Sequence, residues 1–184
     1  MGMGIYLTII GNMGSDPLTM FWLGLSNHLG ITVGQANLLV SGVMLIVVFF
    51  MDRKEIFVGS LLNPLMISLT TDFLLNQKII LTSFWLQLIF FILGLLLLAF
   101  GIALYSLADF GRGAYEALVF SLNQLFKRSI RLFRTICDIG FAVAGILLGA
   151  QLSVGPLIAI LLMGVSIQFF INYLSRPVYH FLSK

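Results

Sequence analysis

Ionisable and polar side chains interrupt the apolar sequence at a few positions, and these are the residues whose chemistry could bind a solute. Asp16 and Thr19 open the stretch "SDPLTMFWLGL", and Arg112 and Glu116 lie in the stretch "GRGAYEAL". A helix that begins inside a membrane presents free N–H groups, which attract an anion, while an acidic side chain there attracts a cation. The sequence leaves both chemistries open, together with a structural reading in which the acids only cap ordinary interfacial helices.

Three further residues place charge or hydrogen-bonding capacity within apolar helices. Arg134 and Asp138 are four residues apart and share one helix face, so we expect them to pair with each other, with another helix or with a ligand. Asn37 precedes Arg134 by 97 residues, which is the spacing of an internal repeat, and is expected to face the same cavity. The predicted ligand-binding residues are Asp16, Thr19, Asn37, Arg112, Glu116, Arg134 and Asp138.

Other chemistries find little support in the sequence. It contains no HExxH, CxxC, P-loop or GxSxG pattern. With two histidines and the single cysteine Cys137, neither a metal site nor an intrachain disulfide is expected. We therefore predict no enzymatic activity, no catalytic residues, and no metal or other cofactor.

The composition indicates which class of protein must position these residues. Of the 184 residues, 60% are hydrophobic and 9% are charged, whereas soluble domains carry about 25% charged residues. Phe84–Leu107 contains no charged residue and no histidine, and it is long enough to cross ~30 Å of hydrocarbon. We predict an all-α polytopic membrane protein with a single membrane domain, residues 1–184. The net charge of +3 is attributed to residues that set the membrane topology, not to nucleic-acid binding.

An internal repeat organises this domain. Gly4-Ile5-Tyr6-Leu7 matches Gly101-Ile102-Ala103-Leu104 at a spacing of 97 residues, and residues 58–75 match residues 154–171 at a spacing of 96. Repeat 1 covers about residues 1–77 with a truncated first span, repeat 2 covers about residues 78–175, and a short cytoplasmic tail follows at 176–184. After each first span we predict a short helix and two longer ones, at residues 17–29, 35–51 and 56–75, and at residues 114–126, 131–150 and 156–174.

The two short helices decide the predicted topology. Each is about 20 Å long, which is too short for a hydrocarbon layer of about 30 Å. If both return to the side from which they enter, six segments cross, and nine of the ten basic residues share one face while Lys78 lies opposite. This charge asymmetry predicts a cytoplasmic C-terminus. Three crossings in each copy predict inverted repeats, with two broken or re-entrant short helices.

Several stretches resemble a known bacterial family. The stretches "GSDPLTMFWLGLSNHLGITVGQANLLVSG" and "VGSLLNPLMISLTTDF", with "ADFGRGAYEAL" and "IRLFRTICDIG" in the second copy, look like YczE/YyaS/YitT-type integral membrane proteins. The resemblance covers nearly the whole chain, although Lys127-Arg128-Ser129 replaces the family's usual Gly-containing turn. It implies a multi-pass protein of the bacterial cytoplasmic membrane, in a family often taken to contain transporters.

These observations favour a small secondary-type transporter or solute-binding membrane component, with a site for a small polar solute between the two repeats. Two alternatives stay open. The chain could be an accessory or scaffold protein that stabilises or regulates a membrane partner, or the substrate-capture subunit of an ATP-driven importer. The expected partners are the lipid bilayer, a small polar solute, and either a membrane protein or a second copy in a homodimer.

Overall fold

Eight α-helices make up the described part of the chain, which contains no β-strand. The computed structural model describes residues 1–53, 56–108, 110–150 and 153–182, with side chains described as far as Ser175. The helices are α1 (Gly2–Ile10), α2 (Pro17–Leu29), α3 (Val33–Met51), α4 (Val58–Leu75), α5 (Phe84–Leu107), α6 (Ala114–Phe126), α7 (Ile130–Leu147) and α8 (Gly155–Leu182). The predicted all-α class is confirmed. The side chains of Lys54, Arg176 and Lys184, which contribute to the predicted charge asymmetry, lie outside the described residues.

Four of these helices account for the membrane class. Among the described residues, α3, α4, α5 and the Gly155–Ser175 part of α8 are long and apolar enough to cross a bilayer. Large apolar side chains such as Phe50, Ile80 and Leu161 are exposed on the outside of the molecule. Because a soluble surface rarely exposes so much apolar area, these faces fit a multi-pass membrane protein. Helices α1, α2 and α6 are shorter, with 9, 13 and 13 residues.

The two short helices have the bounds that the sequence predicts. Asp16 precedes α2 and accepts a hydrogen bond from the N–H of Thr19 at 3.2 Å, while Pro17 takes the first helical position, where no N–H is needed. Gly30 ends α2 in the left-handed conformation with φ 66°, and Lys127 ends α6 in the same conformation with φ 51°. A left-handed residue at this position is a common helix stop.

Other boundaries differ from the predicted ones by up to eight residues. Helix α3 begins at Val33, two residues early, because Thr32 and Gln35 form a capping box there. Helix α7 ends at Leu147, three residues early, and Gly149 follows in the left-handed region with φ 91°. The backbone of α8 stays helical to Leu182, so most of the predicted tail at 176–184 continues this helix.

Helix α1 lies antiparallel along α5, and glycines bring the two backbones together. A Cβ atom on Gly4 would lie 2.7 Å from the backbone nitrogen of Leu98, and one on Gly101 would lie 2.8 Å from that of Met1. Side chains at either glycine would push the helices apart. Gly101 follows Gly4 by 97 residues and Leu98 follows Met1 by 97 residues. The second contact is therefore the first contact with the two helices exchanged.

The turns that precede the short helices show the same exchange. The N–H of Gly155, at the start of α8, donates to the carbonyl of Met13 at 2.9 Å, and the N–H of Gly59 in α4 donates to the carbonyl of Phe110 at 3.1 Å. The two donors are 96 residues apart and the two acceptors are 97 residues apart. In both cases, a long helix holds the turn that leads into a short helix in the other half of the chain.

Helix packing brings the short helices to the centre of the molecule. Helix α2 packs against α7 and α3, and α6 packs against α3 and α7. Helices α1 and α5 pack together, with α4 beside α1 and α8 beside α5. The N-termini of both short helices consequently lie among long helices, where a polar site can be kept away from lipid.

Candidate functional site

A central cavity of about 1130 Å³ lies between the helices, and all eight helices contribute to its wall. This volume is slightly larger than the range of about 300–1,000 Å³ that is usual for ligand pockets. The wall includes six of the seven residues that the sequence predicts as ligand-binding, namely Asp16, Thr19, Asn37, Glu116, Arg134 and Asp138. Residues far apart in the chain therefore meet around one space.

Arg112 is the one predicted residue that does not line the cavity. Its guanidinium carbon is 3.7 Å from the centroid of the Phe120 ring, and Arg112 is not part of the cavity wall. Arg112 stands just before α6, which begins at Ala114, and its long side chain extends along that helix to Phe120, about two turns further on. The contact gives Arg112 a packing role.

The N-terminal part of α2 presents polar atoms that have no partner. Asp16 uses Oδ2 to accept from the Thr19 N–H, whereas its Oδ1 is buried and has no hydrogen-bond partner among the described residues. Oγ1 of Thr19, which is fully buried, and Nε1 of Trp22, which is 5% exposed, also lack a well-aligned hydrogen bond among the described residues, although the Thr19 side chain lies close enough to the Asp16 carboxylate to stabilise its charge. The three residues are spaced by three positions and all line the cavity. Since nearly all buried polar groups in proteins are hydrogen-bonded, such a cluster calls for an explanation.

On the part of the wall formed by α6 and α7, Tyr115 connects the charged residues of α7. Its hydroxyl donates a hydrogen bond to the Asp138 carboxylate, and its ring lies 5.6 Å from the guanidinium carbon of Arg134. Tyr115 is 8% exposed and packs edge-to-face on Phe141 at 6.0 Å. Of the alternatives left open by the sequence, the structure gives Asp138 a hydrogen-bond partner on another helix. The negative charge of Asp138 also interacts with that of Asp16 across the cavity.

Glu116 lies at the N-terminus of α6, and its carboxylate turns back towards Gly113, the residue that precedes the helix. A Cβ atom on Gly113 would lie 2.5 Å from Oε2 of Glu116, so the carboxylate occupies the space that a side chain at residue 113 would need. The positive end of the helix dipole stabilises a carboxylate at this position. The hydroxyl of Tyr105 is close enough to interact electrostatically with Glu116, and it is buried without a described hydrogen-bond partner.

Asn37 lines the cavity, but both N–H groups of its side chain donate to residues of α4. Its Nδ2 donates to the Pro64 carbonyl at 3.1 Å and to Oγ of Ser68 at 2.9 Å, while its Oδ1 accepts from the Ser41 hydroxyl at 2.9 Å. Both N–H groups of the amide are therefore used. Asn37 joins α3 to α4 beside the proline within α4, and its role is to hold this wall in place.

Among the wall residues that were not predicted as ligand-binding from the sequence are Trp22, Tyr115 and Arg131. Two of them had a detectable signal. Trp22 lies on the helix face of Asp16 and Thr19, and Arg131 stands one turn before Arg134. Tyr115 had none, because an aromatic residue in an apolar helix is usually a packing residue. Within the described ranges, no three His, Cys, Asp or Glu side chains come together as metal ligands.

Comparison with known proteins places the chain in a family. Residues 1–172 match DUF6198, which is described as a family of unknown function. The chain is 30% identical over 187 residues to YyaS of Bacillus subtilis, an alignment that covers 100% of this chain and 92% of YyaS. It is 25% identical over 167 residues to the membrane protein YczE of the same organism, covering 90% of this chain and 78% of YczE.

A third relative comes from a different bacterium. An uncharacterized protein of Haemophilus influenzae is 30% identical over 178 residues, which is 96% of this chain and 80% of that protein. No solved structure matches the chain. The resemblance to YyaS and YczE that the sequence motifs indicate is confirmed, and YczE carries the description of a membrane protein.

Proposed function

We propose, on the premise that this chain belongs to the DUF6198 family, that it binds a small polar solute in the central cavity and carries it across the membrane as a small secondary-type transporter. One observation carries the proposal. Oδ1 of Asp16 and Nε1 of Trp22 are buried without described partners on one helix face at the cavity. Each such group costs about 1–3 kcal/mol of stability. A polar solute would supply the missing hydrogen bonds.

The arrangement of the helices supports this function, because it suits two inverted repeats. Helix α1 runs antiparallel to α5, the helix that matches it in sequence, and the contacts at Gly4 and Gly101 are exchange-related. In transporters built from inverted repeats, solutes bind near the bilayer midplane at the repeat interface, beside the ends of broken helices. We propose the same here, with α2 and α6 entering the membrane from opposite sides.

Helix α7 completes the proposed path. It is 18 residues long and carries Arg131, Arg134 and Asp138 on the cavity wall, while Leu132, Ile136 and other apolar residues are exposed on its outer side. A helix with its charges turned inward can cross a bilayer, because intramembrane charges usually face a bundle interior or a water-filled cavity. We therefore count α7 among six proposed crossings, with the C-terminus in the cytoplasm and the protein in the bacterial cytoplasmic membrane.

The test uses a pair of variants that make the same change at two places. The chain has two tryptophans, Trp22 on the cavity wall and Trp85, which is 70% exposed. A thermal-shift screen of small polar solutes on purified protein identifies binders, since a ligand at 100 times its Kd adds about 2.7 kcal/mol of stability. Uptake of each binder into proteoliposomes is then measured. Trp22→Phe is expected to weaken binding and uptake, whereas Trp85→Phe leaves both unchanged.

Two results would overturn the proposal. In the first, no binder enters proteoliposomes faster than it enters liposomes that lack the protein. In the second, Trp22→Phe behaves like Trp85→Phe. If uptake is absent and a membrane protein co-purifies in stoichiometric amounts, the accessory role or the importer subunit replaces the transporter as the function to be tested.

A further inference from the structure

The charge at the two helix N-termini argues against an anionic solute. A helix N-terminus normally attracts anions through its free N–H groups and its dipole. In this chain each short helix already has a carboxylate at that end. Asp16 accepts from the Thr19 N–H in α2, and the Glu116 carboxylate lies beside Gly113 at the start of α6. The positive ends of both helices are thus already neutralised by the chain itself.

Among the side chains of the cavity wall, acids outnumber basic groups by one, while Met1, which carries an amino group, also lines the wall. The wall contains the acids Asp16, Glu116 and Asp138 and the arginines Arg131 and Arg134. The positive charge of Arg134 attracts the Asp138 carboxylate and offsets part of the cost of burying it. Arg134 also lies over the ring of Tyr115, the hydrogen-bond donor to Asp138. Among the described residues, no basic side chain acts on the Asp16 carboxylate, whereas the negative charge of Asp138 repels it. A positive group beside Asp16 would balance both carboxylates.

The unpartnered atoms around Asp16 define what this group must be. Oδ1 of Asp16 can only accept a hydrogen bond when the carboxylate is ionised, so the ligand must donate there. Nε1 of Trp22 can only donate, so the ligand must also accept. The Thr19 hydroxyl, between them on the same face, can do either. We infer that the solute is a small organic amine that also carries a hydrogen-bond acceptor, with its ammonium group on Asp16 and its acceptor on Trp22. This inference rests on the proposed function.

The test uses Trp22 as a fluorescent reporter of its own site. In the Trp85→Phe background, Trp22 is the single tryptophan. The protein, in lipid nanodiscs, is titrated with three probes that share a hydroxyl-bearing chain of four carbons: 4-amino-1-butanol, 1,4-butanediol and 4-hydroxybutyrate. We expect a saturable change of Trp22 emission with the amine, and at least tenfold weaker binding of the neutral and the anionic probe.

Two further variants connect the amine to Asp16. Asp16→Asn keeps the size of the side chain and its ability to cap α2, because Asn is as good an N-cap as Asp. It is expected to weaken binding of 4-amino-1-butanol by about 10- to 150-fold, as for loss of a charge-assisted hydrogen bond. Asp52→Asn makes the same change at the C-cap of α3, outside the cavity wall, and should alter the affinity by less than about twofold.

The outcomes separate this inference from the proposed function. Binding of 1,4-butanediol or 4-hydroxybutyrate in preference to the amine would leave a solute-binding cavity but overturn the amine. Equal affinity of the Asp16→Asn and Asp52→Asn variants for the amine would remove Asp16 as its ligand and overturn the inference too. If none of the three probes changes the emission, the inference is wrong, and the uptake assay decides independently whether the cavity carries another solute.

Discussion

The hydrogen bond between Tyr115 and Asp138 offers a direct measure of how the cavity wall is held together. The Tyr115→Phe variant removes only the hydroxyl that donates to the Asp138 carboxylate. Hydrogen bonds to charged groups contribute about 1.5–3 kcal/mol, and because Asp138 is only partly buried we expect the lower end, about 1.5 kcal/mol. For a chain of this length the loss corresponds to a fall in Tm of about 3–6 °C.

The assay is equilibrium unfolding in mixed micelles, with a double-mutant cycle of Tyr115→Phe and Asp138→Ala. A matched control is Tyr105→Phe, which removes a buried hydroxyl that has no hydrogen-bond partner in the described structure and should leave the free energy of unfolding unchanged or slightly higher. The reasoning is refuted if the two changes of the cycle add to within about 0.5 kcal/mol, because additive effects mean that the side chains do not interact.

Three other expectations concern the framework of the site. Asp72→Ala removes the carboxylate that accepts from the hydroxyl of Thr32 at 2.6 Å, so it should lower the free energy of unfolding by about 1–3 kcal/mol; an unchanged value would deny Asp72 this role. Gly155→Ala would place a Cβ atom 2.4 Å from the Met13 carbonyl oxygen and should cost about 1–3 kcal/mol, whereas Gly164→Ala meets open space and should cost little; equal losses would contradict the close contact. A cytoplasm-type reporter fused after the last residue should be active, and activity of a periplasm-type reporter there would reverse the orientation.

The elements that depend on local sequence signals could be predicted from the sequence. The bounds of α2 follow from an acidic N-cap, a proline in the first turn and a glycine after the last turn, all of which act within a few residues. The 13-residue length of α6 followed in turn from the repeat spacing, although its own cap, Gly113, offers no side chain. The spacing of 97 residues between similar stretches thus predicts the bounds of a helix whose own sequence has a weak cap signal.

The interior of the site could be predicted only in part, because its contacts depend on tertiary packing. The spacing of Arg134 and Asp138 showed a shared helix face, yet the partner of Asp138 is a tyrosine on α6, and no local pattern points to it. Arg112 shows the opposite case. Its position near Glu116 suggested a ligand contact, whereas in the structure its guanidinium packs on the Phe120 ring of the helix that follows it. Charge and spacing identify candidates, while the neighbouring side chains decide their roles.

The N-termini of the two short helices present different residues to the cavity, and this difference makes the cavity wall asymmetric. Residue 16 and residue 113 occupy matching positions, 97 residues apart, but the first is an aspartate and the second a glycine. At α6 the carboxylate is supplied by Glu116 from within the helix, whereas at α2 Asp16 keeps one oxygen free of described partners. Two identical repeats would hold a symmetric solute equally at either end. Here, Asp16 and Trp22 place the unpartnered polar atoms on α2 alone, so a solute bound as we propose would lie closer to α2 than to α6.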